Sequence, residues 1–297
     1  MTRRTASVER IPVPDPASGP YSITAGPDGA LWFTLVHAGR IARLAPDGRI
    51  DVHRLDSAAC GPTVITPGPD GALWFTRYQD HRIGRVTTDG QASSFPVPTP
   101  DGGPFGIAAA SDGALWFTQT RTDRIGRVTT DGRMTEFPLP ATGAFPSAIT
   151  AGPDGALWFT LNQADAIGRI SLSGDVTVHP LPTGGTAPVG IACGADGALW
   201  FAGLGAGLIG RVTTDGRVTE FPLPERDSRP HAVVPGPDGA IWFTEWGAGR
   251  VGSITPDGRI EEYDLPVPSP EPHGLAFGPG GALHVALEVG EIVRLEP

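Results

Sequence analysis

Two glutamates and two histidines toward the C-terminal end of the chain are of the types and spacing that support metal-assisted acid–base chemistry. Glu271-Pro-His273 and Glu288 fall within one 42-residue repeat, and Arg229-Pro-His231 and Glu245-Trp246 stand at corresponding places in the repeat before it. Two carboxylates at adjacent strand ends can share a hard divalent cation, and magnesium suits a site of few carboxylates and several waters. A neutral histidine beside them is a general acid or base near neutral pH, and a second one can orient or polarise a carbonyl. Trp246 and Tyr21 can pack an apolar or aromatic ligand. The competing arrangement of the same residues is a set of polar channel side chains bonded to one another or to water, with no chemistry.

These residues need a frame that brings distant segments together, and the chain supplies one. An apolar segment ending in Trp-Phe-Thr or a close variant recurs with its Trp at positions 32, 74, 116, 158, 200 and 242, each step being 42 residues, and one further step lands on His284. A period in the forties with short strands and Gly-rich turns is the signature of propeller blades. The expected fold is all-β, a seven-bladed β-propeller with four-stranded blades, spanning residues 1–297 as one domain. Residues 103–140 show one blade. Pro104-Phe-Gly-Ile-Ala-Ala-Ala reads as strand a, Ala114-Leu-Trp-Phe-Thr as b, Arg124-Ile-Gly-Arg-Val as c and Met134-Thr-Glu-Phe-Pro-Leu-Pro as d. Alternating apolar positions mark half-buried strands, and Asp-Gly supplies the positive φ of the hairpin turns. Pro in strand d suits an outer edge, where a missing N–H breaks no ladder bond. The last repeat ends on strand c, whereas Val8-Glu-Arg-Ile-Pro-Val-Pro has the pattern of strand d, so the N-terminal strand is expected to complete blade 7 and close the ring.

Composition narrows the function classes. Gly (42) and Pro (32) are abundant, but they sit at fixed offsets between apolar strands and so read as turns rather than disorder. A formal net charge of −10 with no basic run disfavours nucleic acid and anionic membranes as partners. Cys60 and Cys193 lie in different blades, so no disulfide is expected and a reducing compartment fits. The segment Met1-Thr-Arg-Arg-Thr-Ala-Ser-Val8 has no apolar core of a signal peptide, and no apolar run approaches a membrane span. A cytoplasmic monomer is expected.

A regular repeat also separates scaffold from site. The strand d column Ile11, His53, Phe95, Phe137, His179, Phe221, Tyr263 is flat packing, so His53 and His179 are not site residues, and His284 is a packed ring in the Trp column. The column after the Pro of strand a reads Tyr21, Thr63, Phe105, Ser147, Val189, His231, His273, and varies in chemistry. Strands a and b are antiparallel neighbours about 4.8 Å apart, so the start of a lies beside the end of b. Glu271, His273, Glu288, His231, Glu245, Trp246 and Tyr21 are therefore expected on one rim near the axis.

Taken together, these segments resemble the virginiamycin B (streptogramin B) lyases over nearly the whole chain. The repeated Gly-Pro-Asp-Gly-Ala-Leu-Trp-Phe-Thr, Ile-Gly-Arg-Val-Thr-Thr-Asp-Gly and Thr-Glu-Phe-Pro-Leu-Pro are shared with related propellers. The specific marks are Arg229-Pro-His231-Ala, Phe243-Thr-Glu-Trp246, Glu271-Pro-His273-Gly and the short final loop holding Glu288. The resemblance implies a seven-bladed propeller in which Glu271 and Glu288 hold Mg2+, His273 is the catalytic acid/base, His231 contacts substrate, and Tyr21 and Trp246 line the antibiotic site. It further implies linearisation of small-molecule cyclic depsipeptides such as virginiamycin B and quinupristin by elimination at the lactone. One departure stands out: the column after Trp-Phe-Thr, often Glu in such proteins, reads Leu35, Arg77, Gln119, Leu161, Gly203, Glu245, Leu287. Read as channel lining, it makes the far side less acidic and leaves the natural substrate open. Two rivals differ in class: a metal-dependent lactonase or esterase adding water to the same ester, and a non-catalytic binding propeller of the NHL-like kind.

Overall fold

A computed structural model describes residues 7–296; residues 1–6, with the signal-peptide reading that falls on them, and Pro297 lie outside it. Seven four-stranded antiparallel sheets follow one another in chain order, as the 42-residue period requires. In blade 3 the strands are Pro104–Ala109, Ala114–Gln119, Arg124–Thr129 and Met134–Pro138. The innermost positions go to strand a, which packs against strand a of the adjoining blades, and the partly exposed d strands form the outer wall. Among the described residues no helix is long and apolar enough to cross a membrane.

The blade core explains the repeated residues. Strand b is buried throughout, and its Trp stacks on the strand d ring: Trp32 on His53 at 5.4 Å and Trp158 on His179 at 5.3 Å between centroids. His53 and His179 are thus packing residues. The aspartate of each Asp-Gly turn does more than turn the chain. Asp28 Oδ1 accepts the Trp32 indole N–H at 3.0 Å and Oδ2 accepts Arg43 Nε at 2.6 Å, and the same trio recurs at Asp70, Asp154 and Asp196. In blades 2 to 6 strand c carries Gly opposite the strand b Phe, and a Cβ at Gly126 would lie 2.1 Å from the Phe117 ring; blade 1 has Ala42 opposite Phe33. In blade 7 the turn Asp is replaced by Gly280, and His284 takes the Trp place as a ring 7% exposed.

Blade 7 is closed as expected. Ser7–Pro12 pairs antiparallel with Glu291–Glu296, Ile11 opposite Ile292 and Pro12 opposite Glu291. Arg10 Nε donates to Glu291 at 2.8 Å, and Val13 N–H to the Gly290 carbonyl at 3.1 Å. Closure leaves no unpaired strand edge at the seam. Cys60 and Cys193 are free thiols.

Candidate functional site

The start of strand a is built to aim side chains into the channel. In blades 1, 6 and 7 the pairing with strand b shifts register between Pro20 and Ile23, Pro230 and Val233, and Pro272 and Leu275. Such a bulge re-aims the residues within it, here Tyr21, His231 and His273. The residue before each of these prolines is left-handed in all seven blades: φ is positive at Gly19, Gly61, Gly103, Phe145, Ala187, Arg229 and Glu271. That conformation is strained for a residue with a Cβ. Glu271, with φ 45°, holds its carboxylate where glycine is the unstrained choice.

A second device comes from the Thr of Trp-Phe-Thr. Thr244 Oγ1 receives the Ala232 N–H at 3.0 Å and donates to the His273 carbonyl of the next blade at 2.9 Å. Thr34, Thr118 and Thr160 do the same between other blades. A scaffold column that is Thr in five blades therefore also fixes the backbone of His273.

Four of the expected residues meet around His273, which is 8% exposed. Tyr21 packs on it at 4.5 Å between centroids, His231 at 4.9 Å edge-on, and Trp246 at 6.3 Å. Glu288 Oε2 lies 2.5 Å from His273 Nε2. The approach is too oblique for a well-formed hydrogen bond, and neither ring nitrogen of His273 has an aligned partner. Contact with His273 and then with His37 outweighs partial burial and holds the Glu288 carboxyl below its ordinary range. Burial, with His273 close by, pushes the His231 pKa down to about 3, so His231 is neutral. Burial, with Glu288 adding to it, raises the Tyr21 phenol well above its ordinary value, so Tyr21 is neutral too.

The site opens on two spaces. Tyr21 and His231 line the central channel, a cavity of ≈ 300 Å³, with Phe105, Ser147 and Val189 of the same column. On the rim, Glu271 and Trp246 line a cleft of ≈ 660 Å³ with Asp227, Arg229 and Ser269. The Glu288 N–H donates to the Glu271 carbonyl at 3.2 Å, which sets the two carboxylate-bearing residues side by side at the ends of strands a and b. Among the described residues no three His, Cys, Asp or Glu side chains form a metal-ligating group. An exposed Glu271 beside an ionised, partly exposed Glu288 is a donor set of the few-carboxylate kind that magnesium accepts, its other positions being filled by water.

Two sequence expectations need correction. Glu245 does not join the rim, and its column does not line the channel. Leu35, Arg77, Gln119, Leu161, Glu245 and Leu287 are all 0–2% exposed. Side chains alternate along strand b, so with Thr244 facing His273 the next residue turns the opposite way, into the blade body. Arg77 is paired there with Asp56 and Asp80, and Gln119 Nε2 donates to Glu136 at 2.8 Å. Glu245 occupies the Gln119 place and Glu262 the Glu136 place. Burial above all, with Glu262 contributing, pushes Glu245 up to about 7.

A carboxyl raised in the folded state adds stability that is complete below its unfolded value and is lost as pH rises through about 7. The loss is on the order of 3 kcal/mol. Glu245→Gln, which can reproduce the Gln119–Glu136 bond, is therefore expected to match the wild type near pH 4.5 and to exceed its stability by up to that amount at pH 8.5. Urea unfolding at both pH values reads this out, and a pH-independent difference would refute it.

The sequence reading missed His37. It projects from the b–c loop of blade 1, and its Nε2 lies 2.8 Å from Glu288 Oε1. Its column reads His37, Gln79, Arg121, Gln163, Gly205, Gly247, as variable as the channel column. That variability was the available signal, in a loop whose direction the repeat does not reveal.

Known proteins place this geometry in a family. The virginiamycin B lyase family profile matches residues 6–295. A virginiamycin B lyase of Saccharopolyspora erythraea is 68% identical over 54 residues, a stretch that spans 18% of each protein. A streptogramin B lyase structure is 42% identical, with a TM-score of 0.95 over 98% of this chain and 97% of that one. A catalytically inactive histidine-to-alanine variant of Staphylococcus aureus virginiamycin B lyase, crystallised with quinupristin, is 40% identical with a TM-score of 0.95 over 98% and 99% of the two chains. With its fold, its blade-by-blade sequence and nearly its whole length accounted for, this chain belongs to the virginiamycin B lyase family, a family of lyases.

Proposed function

We propose that this protein linearises streptogramin B-type cyclic depsipeptides by Mg2+-dependent elimination at the ester bond. The observation that carries this reading is the state of His273: a buried imidazole with neither nitrogen in an aligned hydrogen bond, between neutral Tyr21 and His231 and beside an ionised Glu288. His273 accepts the proton from the α-carbon of the ester-bearing residue. The electron pair forms the α–β double bond, and the ester carboxylate leaves from the β-carbon, so no water is consumed. Glu288 stabilises the imidazolium that forms. Tyr21 and Trp246 pack the substrate against His273, and His231, held neutral, contacts substrate without competing for the proton. Glu271 and Glu288 would hold the magnesium ion, which when bound supplies electrostatic stabilisation of negative charge developing on the substrate's oxygens. A cytoplasmic monomer suits a ring closed without a disulfide.

The test is product mass in oxygen-18 water, with magnesium and with excess EDTA. A linear peptide of unchanged mass, containing a dehydrobutyrine and no solvent oxygen, is expected with magnesium, and no product with the chelator. Incorporated oxygen-18 would make the protein a hydrolase, and full turnover after exhaustive chelation would remove the metal from the reaction.

A further inference from the structure

The seating of His37 carries an inference beyond the residues assigned so far. Its backbone N–H donates to the Ser18 carbonyl at 3.0 Å, while the preceding Val36 N–H donates to the Gly19 carbonyl at 2.9 Å, so the loop is tied to the entry of strand a. Its ring occupies the space beside Gly19, where a Cβ would come within 2.4 Å of His37 Cδ2. In blades 2, 3, 5 and 6 the same space is shared out between a side chain and a glycine, whereas blade 4 carries Phe145 and Gln163. Gly61 and Gly103 lie under Gln79 and Arg121, whereas Ala187 and Arg229, which carry side chains, face Gly205 and Gly247. In blade 1 the absent side chain at Gly19 leaves room for a ring, and the ring's Nε2 meets Glu288 of blade 7 at 2.8 Å.

Glu288 therefore bridges two imidazoles, Oε2 toward His273 at 2.5 Å and Oε1 toward His37 at 2.8 Å. Glutamate has three side-chain torsions, and this one stands partly exposed at the end of a strand, free to swing into solvent unless both oxygens are held. We propose that His37 is a positioning residue that fixes the Glu288 carboxylate against His273. The N-terminal blade then orients a group of the C-terminal blade across the seam. This rests on the reading that Glu288 and His273 act together in the reaction.

Partners that orient a functional carboxylate are worth roughly 10–100-fold when removed, and an exposed one belongs at the lower end, about tenfold. The expected result for His37→Ala is thus a kcat lowered about tenfold, with KM for the depsipeptide and the unfolding midpoint near wild type. His37→Gln, whose amide N–H reaches a similar distance, is expected to recover most of kcat. The His273 imidazole resonances of the metal-free, substrate-free protein should shift in His37→Ala and return in His37→Gln. Wild-type kcat and unmoved His273 resonances in His37→Ala would overturn the proposal, as would equal losses in both variants. Glu288→Gln separates the two readings. If it turns over normally, the role of Glu288 itself falls; if it is inactive while His37→Ala is normal, only the role of His37 falls.

Discussion

His273→Ala is expected to lower turnover of a streptogramin B depsipeptide by roughly two to four orders of magnitude, the usual range for loss of a general acid/base. Two histidines meet at the start of strand a in blades 6 and 7, 4.9 Å apart between ring centroids, and the structure distinguishes them. Burial, with His273 close by, pushes the His231 pKa down to about 3, which makes it the weaker candidate for taking a carbon-bound proton under the proposed reaction. His273 has both nitrogens without aligned partners and a carboxylate 2.5 Å away, which in the proposed reaction would offset the positive charge of an imidazolium. His231→Ala should accordingly act mainly on KM, and His273→Ala mainly on kcat. Magnesium affinity, measured by calorimetry without substrate, should survive in both, because neither carboxylate is removed. A loss of less than about fivefold in His273→Ala would place the base elsewhere.

Deleting residues 1–14 is expected to lower the melting temperature by about 10 °C and to remove activity with it. The deletion strips the six-residue ladder from Ser7 to Pro12 off Glu291–Glu296. It also removes Val13, which is 3% exposed, and uncovers Ile292, Val293 and Leu295, now fully buried. Full burial of such a side chain is worth about 1.5–3 kcal/mol. Losing one covering strand forfeits only a part of this, about 3–4 kcal/mol in sum, and each kcal/mol is about 2–4 °C in a protein of this size. Activity follows because Val13 holds the Gly290 carbonyl, two residues beyond Glu288, so the loop that carries Glu288 loses its anchor. Differential scanning calorimetry and a turnover assay at a permissive temperature measure both effects. An unchanged melting temperature would mean that the closing strand contributes nothing to the ring.

Much of this protein could be read before it was folded. The 42-residue period set the number of blades, because side-chain alternation and Asp-Gly turns are local properties that repeat with the residues. The missing strand d of the last repeat and the surplus one at the N-terminus dictated closure for the same reason. The column after the strand a proline singled out Tyr21, His231 and His273, since strand ends that share a register in every blade must share a rim. Direction within the blade was the part that only the tertiary structure decided. Glu245 and Trp246 are neighbours in sequence, yet one is buried beside Glu262 and the other lines the rim cleft, because alternation sends successive side chains to opposite faces and the column does not say which face is which. The Asp-Gly turn aspartates read as turn formers alone, and their bonds to Trp and Arg depend on strands b and c lying side by side. His37 was invisible as a partner of Glu288, 251 residues away. Their contact exists only because the ring closes and brings the first blade's loop against the last, a pairing set by the shape of the whole molecule rather than by any local pattern.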